Sequence, residues 1–147
     1  MKIFSLNAIS ILGYFFIGVL FPILWLQALR LKREIPRLAK PEDLPYGVCI
    51  GKGRNFSIIG LGESAMAGVG IARHSLTLTG LTAERLQKLL GFSVDWKILA
   101  ESGIRLKNLN KLIRNNSVEN ADIVLVSIGG NDVFQLTPPW VWKKNLE

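Results

Sequence analysis

The chain has 147 residues, enough for one domain and a short appendage. Its single cysteine, Cys49, excludes an intrachain disulfide and a cysteine metal cluster. The net charge of +7 is compatible with nucleic-acid binding. We nevertheless expect no nucleic-acid partner, because five of the 18 basic residues directly follow the first apolar run, where they are typical of a membrane flank: Arg30, Lys32, Arg33, Arg37 and Lys40.

That first apolar run, from Leu6 to Leu29, contains no charged residue. It exceeds the roughly 20 helical residues that span the hydrocarbon core of a bilayer, so residues 1–33 are interpreted as a single transmembrane anchor with a basic flank. One alternative is a cleaved signal peptide, but no small-x-small cleavage site is evident. The other is a buried helix of a soluble domain, which is disfavoured because the run is apolar on all faces and longer than most core helices. The positive-inside rule places the main domain on the cytoplasmic side of the membrane.

Residues 34–54 are predicted to be a linker, since prolines and glycines recur there. The folded domain is then expected over residues 55–147. Within it, Phe56–Gly60, Val94–Ala100 and Ile123–Ile128 are short apolar runs typical of strands, and the third is apolar enough to be buried on both faces.

Two segments between these strands have helical spacing of apolar residues. Thr77 to Leu90 predicts a helix with Thr82 as the cap of its ordered part and Gly91 as its stop. Ile104 to Asn115 predicts an amphipathic helix with a solvated basic face. Alternation of strands and helices indicates an α/β fold with a parallel sheet and helices on its faces.

Candidate functional segments follow each predicted strand. They are Gly62–Ser64, Glu101–Gly103 and Gly129–Asp132. In open parallel sheets, sites form at the carboxyl ends of the strands, so we expect these three segments to lie together.

One interpretation of the first segment is a dinucleotide-binding turn, because Gly60, Gly62 and Ala65 fit the pattern G-x-G-x-x-[G/A]. Such a fold needs an acidic residue about 20 residues further on to bind the ribose. Glu101 ends the second strand but lies much further along the chain, and Glu84 falls inside a helix. This alternative is therefore disfavoured.

The other interpretation makes Ser64 a nucleophile. A serine in a tight turn after a strand projects its hydroxyl above the sheet edge, where nearby backbone N–H groups can stabilise the negative charge of a tetrahedral intermediate. The Gly103 N–H and the Asn131 carboxamide follow the two other strands and could donate to the same oxyanion. Taken singly, the three residues are more typical of a helix cap, a turn and an Asx-turn.

Together, "GESAMAGVG", "ESGIRLKNL" and "IGGNDV" resemble the first three blocks of the SGNH hydrolases, also called GDSL esterases and lipases, over about residues 55–135. Glu63 replaces the usual aspartate of the first block. The resemblance implies a three-layer α/β/α, flavodoxin-like sandwich. It also implies Ser64 as nucleophile, with the Ser64 N–H, the Gly103 N–H and the Asn131 side chain as the oxyanion hole.

The family's Asp-x-x-His block, which supplies the base, is not found in this sequence. The only histidine, His74, does not match that position and is expected to be a surface or loop histidine. We therefore expect the incomplete, amino-terminal part of a hydrolase domain, inactive or weakly active as this chain. A serine without an adjacent base is a weak nucleophile. The later strands of the family would then be missing, which leaves the third strand with an unpaired edge where the family has a central strand.

The resemblance implies no metal and no organic cofactor. It implies an ester substrate, either an acyl lipid or an acylated or acetylated small molecule or glycan. The alternative from a different functional class is a membrane-tethered, non-catalytic binding module that keeps only the cleft.

Overall fold

The computed structural model describes residues 8–36, 38–116 and 120–147. The chain forms two compact units, residues 1–37 and 38–147. The first contains one helix, α1 (Ala8–Glu34). The second contains, in chain order, β1 (Tyr46–Cys49), β2 (Asn55–Gly62), a short 3₁₀ helix (His74–Leu76), α2 (Leu78–Leu90), β3 (Ser93–Ala100), α3 (Leu106–Asn115), β4 (Ile123–Ser127), α4 (Gly130–Phe134) and α5 (Pro139–Leu146).

Helix α1 covers most of the predicted transmembrane anchor, although Leu6, Asn7 and the basic-flank residue Arg37 lie outside the described residues. Its large apolar side chains from Phe15 to Leu31 are exposed. Among the residues that the structure describes, no helix is at once long enough and apolar enough to cross a membrane. The transmembrane part of the predicted architecture is thus not supported by the structure.

The sheet has the strand order β1-β3-β2-β4. Strand β2 pairs in parallel with β3 and with β4, as the alternation of strands and helices predicts. Strand β1 pairs antiparallel with β3, with Tyr46 opposite Lys97 and Cys49 opposite Val94. The fold is therefore α/β, but the prediction of a purely parallel sheet is wrong, because an antiparallel strand covers the outer edge of β3.

Strand β1 lies inside residues 34–54, the predicted linker, which is therefore partly folded. Its four residues alternate between exposed and half-buried, too short a run to be recognised among the neighbouring prolines and glycines. Backbone pairing stabilises this strand: the N–H of Ile98 donates to the carbonyl of Pro45 (2.7 Å), directly before β1.

Helices cover both faces of the sheet because β2 is apolar on both sides. On one face, Ile58 packs with Met66 and with Ala83 of α2. On the other, Ile59 and Leu61 pack with α3 and α5. Burying each of the large apolar side chains contributes roughly 1.5–3 kcal/mol. The two clusters therefore hold β2 between the two helical layers.

Strand β4 differs from the prediction that it is buried on both faces. Its only partner among the described residues is β2, and the side chains of Val124 and Val126 are 51% and 59% exposed. Apolar composition alone cannot separate an edge strand from a central one, because both can present a continuous hydrophobic run.

The helix ends follow local chemistry in most places. Thr77, rather than the predicted Thr82, caps α2: its side chain accepts from the N–H of Gly80 (3.4 Å), whereas the Thr82 hydroxyl donates to a carbonyl inside the helix. Gly91 ends α2 in the left-handed conformation, as predicted. Helix α4 was not predicted, since its five residues are too few to show a period.

Candidate functional site

The carboxyl ends of three strands are in register along one edge of the sheet. Gly62, the last residue of β2, lies opposite Ala100 of β3 and opposite Ser127 of β4. All three strands run in the same direction, so the segments that follow them begin side by side. The structure therefore brings the three candidate segments of the sequence to a common edge.

The turn that carries Ser64 starts directly against β4. The N–H of Glu63 donates to the carbonyl of Ser127 (3.0 Å). A side chain at Gly62 would place its Cβ 2.0 Å from that same carbonyl oxygen, so only glycine permits the approach. The close contact fixes where the serine leaves the sheet.

Ser64 then enters a helix-like turn. The N–H of Ala67 donates to the carbonyl of Glu63 (2.9 Å), and the N–H of Val69 donates to that of Ser64 (3.0 Å). The Ser64 side chain is half-buried, and within the described residues neither its hydroxyl nor its backbone N–H has a hydrogen-bond partner. Both groups are thus available to a ligand at the sheet edge.

Gly103 lies in the loop between β3 and α3. Its φ of +83° is the left-handed conformation that favours glycine, and it is exposed. The loop is tied to the Ser64 side of the site because the N–H of Glu101 donates to the carbonyl of Gly62 (3.2 Å). The Gly103 N–H has no partner in the part of the chain that the structure describes, which leaves it available as a donor.

Asn131 lies in the first turn of α4, not in the turn that the sequence suggested. Its side-chain nitrogen donates to the carboxylate of Glu63 and to the carbonyl of Ile104 (3.1 Å). Glu63 precedes Ser64 and Ile104 follows Gly103, so Asn131 joins the two other candidate segments. In this state both N–H bonds of the carboxamide have acceptors within the protein.

Glu63 is the residue of the site whose contacts the sequence did not reveal. Besides the Asn131 side chain, its carboxylate accepts from the backbone N–H of Gly130 (2.7 Å) and of Asn131 (3.0 Å). Both N–H groups lie at the amino-terminal end of α4, where backbone donors have no acceptor within the helix. The partners lie far along the chain, so only the acid placed directly before the serine could have drawn attention to this residue.

Asp132 is a second polar residue with a role that the sequence left unassigned. Its side chain is buried, and its carboxylate accepts from the N–H of Leu106 (2.9 Å), the first residue of α3. Arg105, which precedes the helix, makes no side-chain cap of its own. Asp132 therefore caps α3 from another segment and links it to α4, next to Asn131.

His74 departs from the prediction of a surface or loop histidine. It is only 8% exposed and lies in the 3₁₀ helix. Asp43 accounts for its position: the carboxylate accepts from the His74 backbone N–H (3.0 and 3.1 Å) and contacts the ring Nδ1 (2.8 Å). The backbone hydrogen bond from His74 lowers the pKa of Asp43. No hydrogen bond joins His74 to Ser64 among the described residues.

An open cavity of about 450 Å³ adjoins Gly103. It lies between residues 101–104 and the side of α3 that carries Asn108, Lys111 and Asn115. Its polar lining includes one carboxylate, from Glu101, and one ammonium group, from Lys111. This cavity offers room for part of a ligand whose reacting group lies at the sheet edge.

Residues for a nucleotide or a metal are arranged less favourably. The turn after β2 is followed by the 3₁₀ helix, and α2 begins only at Leu78, so Gly60 and Gly62 do not lead directly into a helix that could bind a phosphate. Across residues 8–36, 38–116 and 120–147, no group of three or more His, Cys, Asp or Glu residues is placed to hold a metal ion.

No model of a protein family matches the chain, and no curated protein matches it significantly. The interpretation of the site therefore depends on its geometry and on the sequence blocks quoted above.

Proposed function

We propose that this chain carries the nucleophile and the oxyanion hole of a serine ester hydrolase of the SGNH type, built on a three-layer α/β/α sandwich. Ser64 attacks the carbonyl carbon of an acyl or acetyl ester, and an acyl-enzyme forms as the alcohol leaves. The N–H groups of Ser64 and Gly103, with the Asn131 carboxamide, stabilise the negative oxygen of the tetrahedral intermediate.

One observation carries this proposal: the Ser64, Gly103 and Asn131 segments meet at a single sheet edge and are cross-linked by hydrogen bonds. Glu63 bonds to Asn131, Asn131 bonds to Ile104, and Glu101 bonds to Gly62. In the part of the chain that the structure describes, the N–H groups of Ser64 and Gly103 and the Ser64 hydroxyl have no hydrogen-bond partner. An acyl-transfer site needs such groups for its nucleophile and its oxyanion hole.

The Ser64 hydroxyl is expected to be a weak nucleophile, because the part of the chain that the structure describes offers it no adjacent general base. The His74 ring contacts Asp43, and among the described residues no basic side chain is hydrogen-bonded to the Ser64 hydroxyl. Serine hydrolases that lack a triad member keep roughly 10³- to 10⁴-fold catalysis over water, from the oxyanion hole and binding. We therefore expect slow, Ser64-dependent acylation and very slow turnover by these 147 residues.

A fluorophosphonate probe tests the proposal, with intact-mass measurement and peptide mapping of the adduct. We expect one adduct on Ser64 that accumulates over hours and is absent from Ser64→Ala. A matched control is Ser102→Ala, which removes an exposed serine of the neighbouring loop and should label like the wild type. Labelling that persists unchanged in Ser64→Ala would contradict the proposal.

A second candidate function is a non-catalytic binding module. It is favoured by the engaged Asn131 amide and by the cavity beside Gly103. Hydrolysis of p-nitrophenyl acetate separates the two candidates. Equal rates for the wild type and Ser64→Ala favour the binding module, whereas a large drop in Ser64→Ala favours the esterase.

Membrane attachment through residues 1–33, with the main domain on the cytoplasmic side, is part of the proposal. It is supported by the charge-free run in the sequence and by the exposed apolar side chains of α1. Alkaline carbonate extraction of membranes from expressing cells tests it: the chain should stay in the pellet, and recovery in the supernatant would contradict the attachment.

A further inference from the structure

The Glu63 carboxylate accepts three hydrogen bonds from Gly130 and Asn131, and Asn131 is a candidate oxyanion-hole residue. We propose that Glu63 is a positioning residue, whose carboxylate holds the Asn131 carboxamide and the first turn of α4 in place for oxyanion binding. This inference rests on the proposed function, because it concerns the same site. It assigns no contact between Glu63 and substrate.

Three donors converge on this one carboxylate. One oxygen accepts from the Gly130 N–H (2.7 Å), and the other accepts from the Asn131 N–H (3.0 Å) and from the Asn131 side chain. Hydrogen bonds to an ionised carboxylate are stronger and shorter than neutral ones. The fit is tight, since a Cβ at Gly130 would lie 2.8 Å from Glu63 Oε1. Glu63 thus holds both the backbone and the side chain of Asn131.

The same contacts decide which way the carboxamide faces. With nitrogen directed at Glu63 and at the Ile104 carbonyl, every contact pairs a donor with an acceptor. A flipped amide would direct its oxygen at two acceptors, which is unfavourable. The Asn131 nitrogen, and not its oxygen, is therefore presented to the segments that carry Ser64 and Gly103.

The same hydrogen bonds determine which N–H of the Asn131 side chain can donate to an oxyanion. Its two N–H bonds are engaged, so donation to an oxyanion requires that one of them leave its present acceptor. The bond to Ile104 is the neutral one and the bond to Glu63 is charge-assisted, so the Ile104 bond is the weaker of the two. The N–H that leaves Ile104 turns to the oxyanion while Glu63 keeps the side chain in place.

Two substitutions separate the charge of Glu63 from its length. Glu63→Gln keeps the length but replaces one of the two acceptor oxygens with an NH₂ group, and the oxygen that remains is uncharged, so its hydrogen bonds are weaker. Glu63→Asp keeps the carboxylate, one methylene shorter, and is the residue usual in the blocks that this segment resembles. We expect Glu63→Gln to release the Asn131 side chain and Glu63→Asp to retain part of its hydrogen bonding to Asn131.

The first measurement needs no activity. In ¹⁵N-edited NMR of the full chain in detergent micelles, we expect Glu63→Gln to move the Asn131 side-chain NH₂ signals and to speed hydrogen exchange at the Gly130 and Asn131 amides. Glu63→Asp should shift the same signals less. If the Asn131 side-chain signals of Glu63→Gln coincide with those of the wild type, the inference is overturned.

The second measurement is the rate of fluorophosphonate labelling at Ser64, resolved into its maximal rate and the probe concentration for half-maximal rate. We expect the maximal rate to fall about 100-fold in Glu63→Gln, as when an oxyanion donor is lost, and less than tenfold in Glu63→Asp. The half-maximal concentration should change little. A residue that only stabilises α4 would alter the melting temperature and leave the maximal rate of the folded protein unchanged.

The two arms distinguish failure of the inference from failure of the proposed function. If the wild type does not label at Ser64, the proposed function fails, and NMR alone decides whether Glu63 holds Asn131. If the wild type labels and Glu63→Gln labels equally fast, the esterase proposal stands and the positioning role of Glu63 is overturned.

Discussion

Replacing Asp132 with alanine tests how the site is held to α3. Asp132 is 3% exposed, and its carboxylate accepts a hydrogen bond from the Leu106 N–H (2.9 Å) at the start of α3. Leu106 is itself buried, so in Asp132→Ala its N–H loses its partner without gaining water. Helix α3 would then begin with one more unpaired donor.

The magnitude follows from that single contact. A hydrogen bond to a charged group contributes about 1.5–3 kcal/mol, and a carboxylate near a helix amino terminus contributes part of this through the helix dipole. Removing the buried carboxylate also relieves its desolvation cost, which offsets a fraction of the loss. We expect Asp132→Ala to lower the free energy of unfolding by about 2 kcal/mol.

Thermal unfolding of the full chain, followed by circular dichroism, measures the effect. For a domain of this size about 2 kcal/mol corresponds to a fall in melting temperature of roughly 8 °C or more. The matched control is Glu101→Ala, which removes an exposed carboxylate at the same sheet edge and should change stability by less than about 0.5 kcal/mol. Equal melting temperatures for the two variants would refute the capping role of Asp132.

Three further predictions concern other contacts of the folded domain. Gly62→Ala places a Cβ 2.0 Å from the Ser127 carbonyl, so it should lower the melting temperature by several degrees, and an unchanged value would contradict the close approach of β2 and β4. Asp43→Asn should speed hydrogen exchange at the His74 amide, which loses its charged acceptor, while protection equal to the wild type would contradict this pairing. The backbone N–H of Ser57 lowers the pKa of Asp122, so this carboxylate stabilises the fold above about pH 4 and ceases to do so as pH falls through its lowered pKa. The difference in melting temperature between the wild type and Asp122→Asn should therefore be present at pH 6 and shrink as the pH falls below about 4, and a constant difference would exclude the linkage.

The elements with a clear local pattern were predictable. The apolar runs that became β2 and β3 and the periodic segments that became α2 and α3 bury hydrophobic side chains as the sequence indicates, and the third run forms strand β4 as predicted. These patterns repeat over enough residues to show a period. The parallel pairing of the three strands follows from the helices between them.

The elements that were missed depend on partners far along the chain. Strand β1 is stabilised by pairing with β3, and its four residues show no pattern of their own. The exposure of Val124 and Val126 depends on which elements pack over the faces of β4, which its composition does not encode. Helix α4 is only five residues long, and the Glu63 carboxylate binds its first N–H groups.

In the candidate site, too, the positions of the residues were predictable from the sequence, whereas their contacts were not. Positions 64, 103 and 131 were identified because each follows a strand, and the register of the sheet brings the three segments together. The sequence did not reveal that the Asn131 amide is engaged by Glu63 and Ile104, or that His74 is buried against Asp43. Those contacts are set by tertiary packing.

The most direct measurement of the central claim is a crystal structure of the chain after reaction with a small fluorophosphonate. The account predicts phosphorus bonded to Ser64 Oγ, with the phosphonyl oxygen about 3 Å from the N–H groups of Ser64 and Gly103 and from the Asn131 side-chain nitrogen, and with Glu63 still bound to Asn131. A phosphonyl oxygen that faces solvent, or an Asn131 side chain that remains bonded to Ile104 in the adduct, would contradict it.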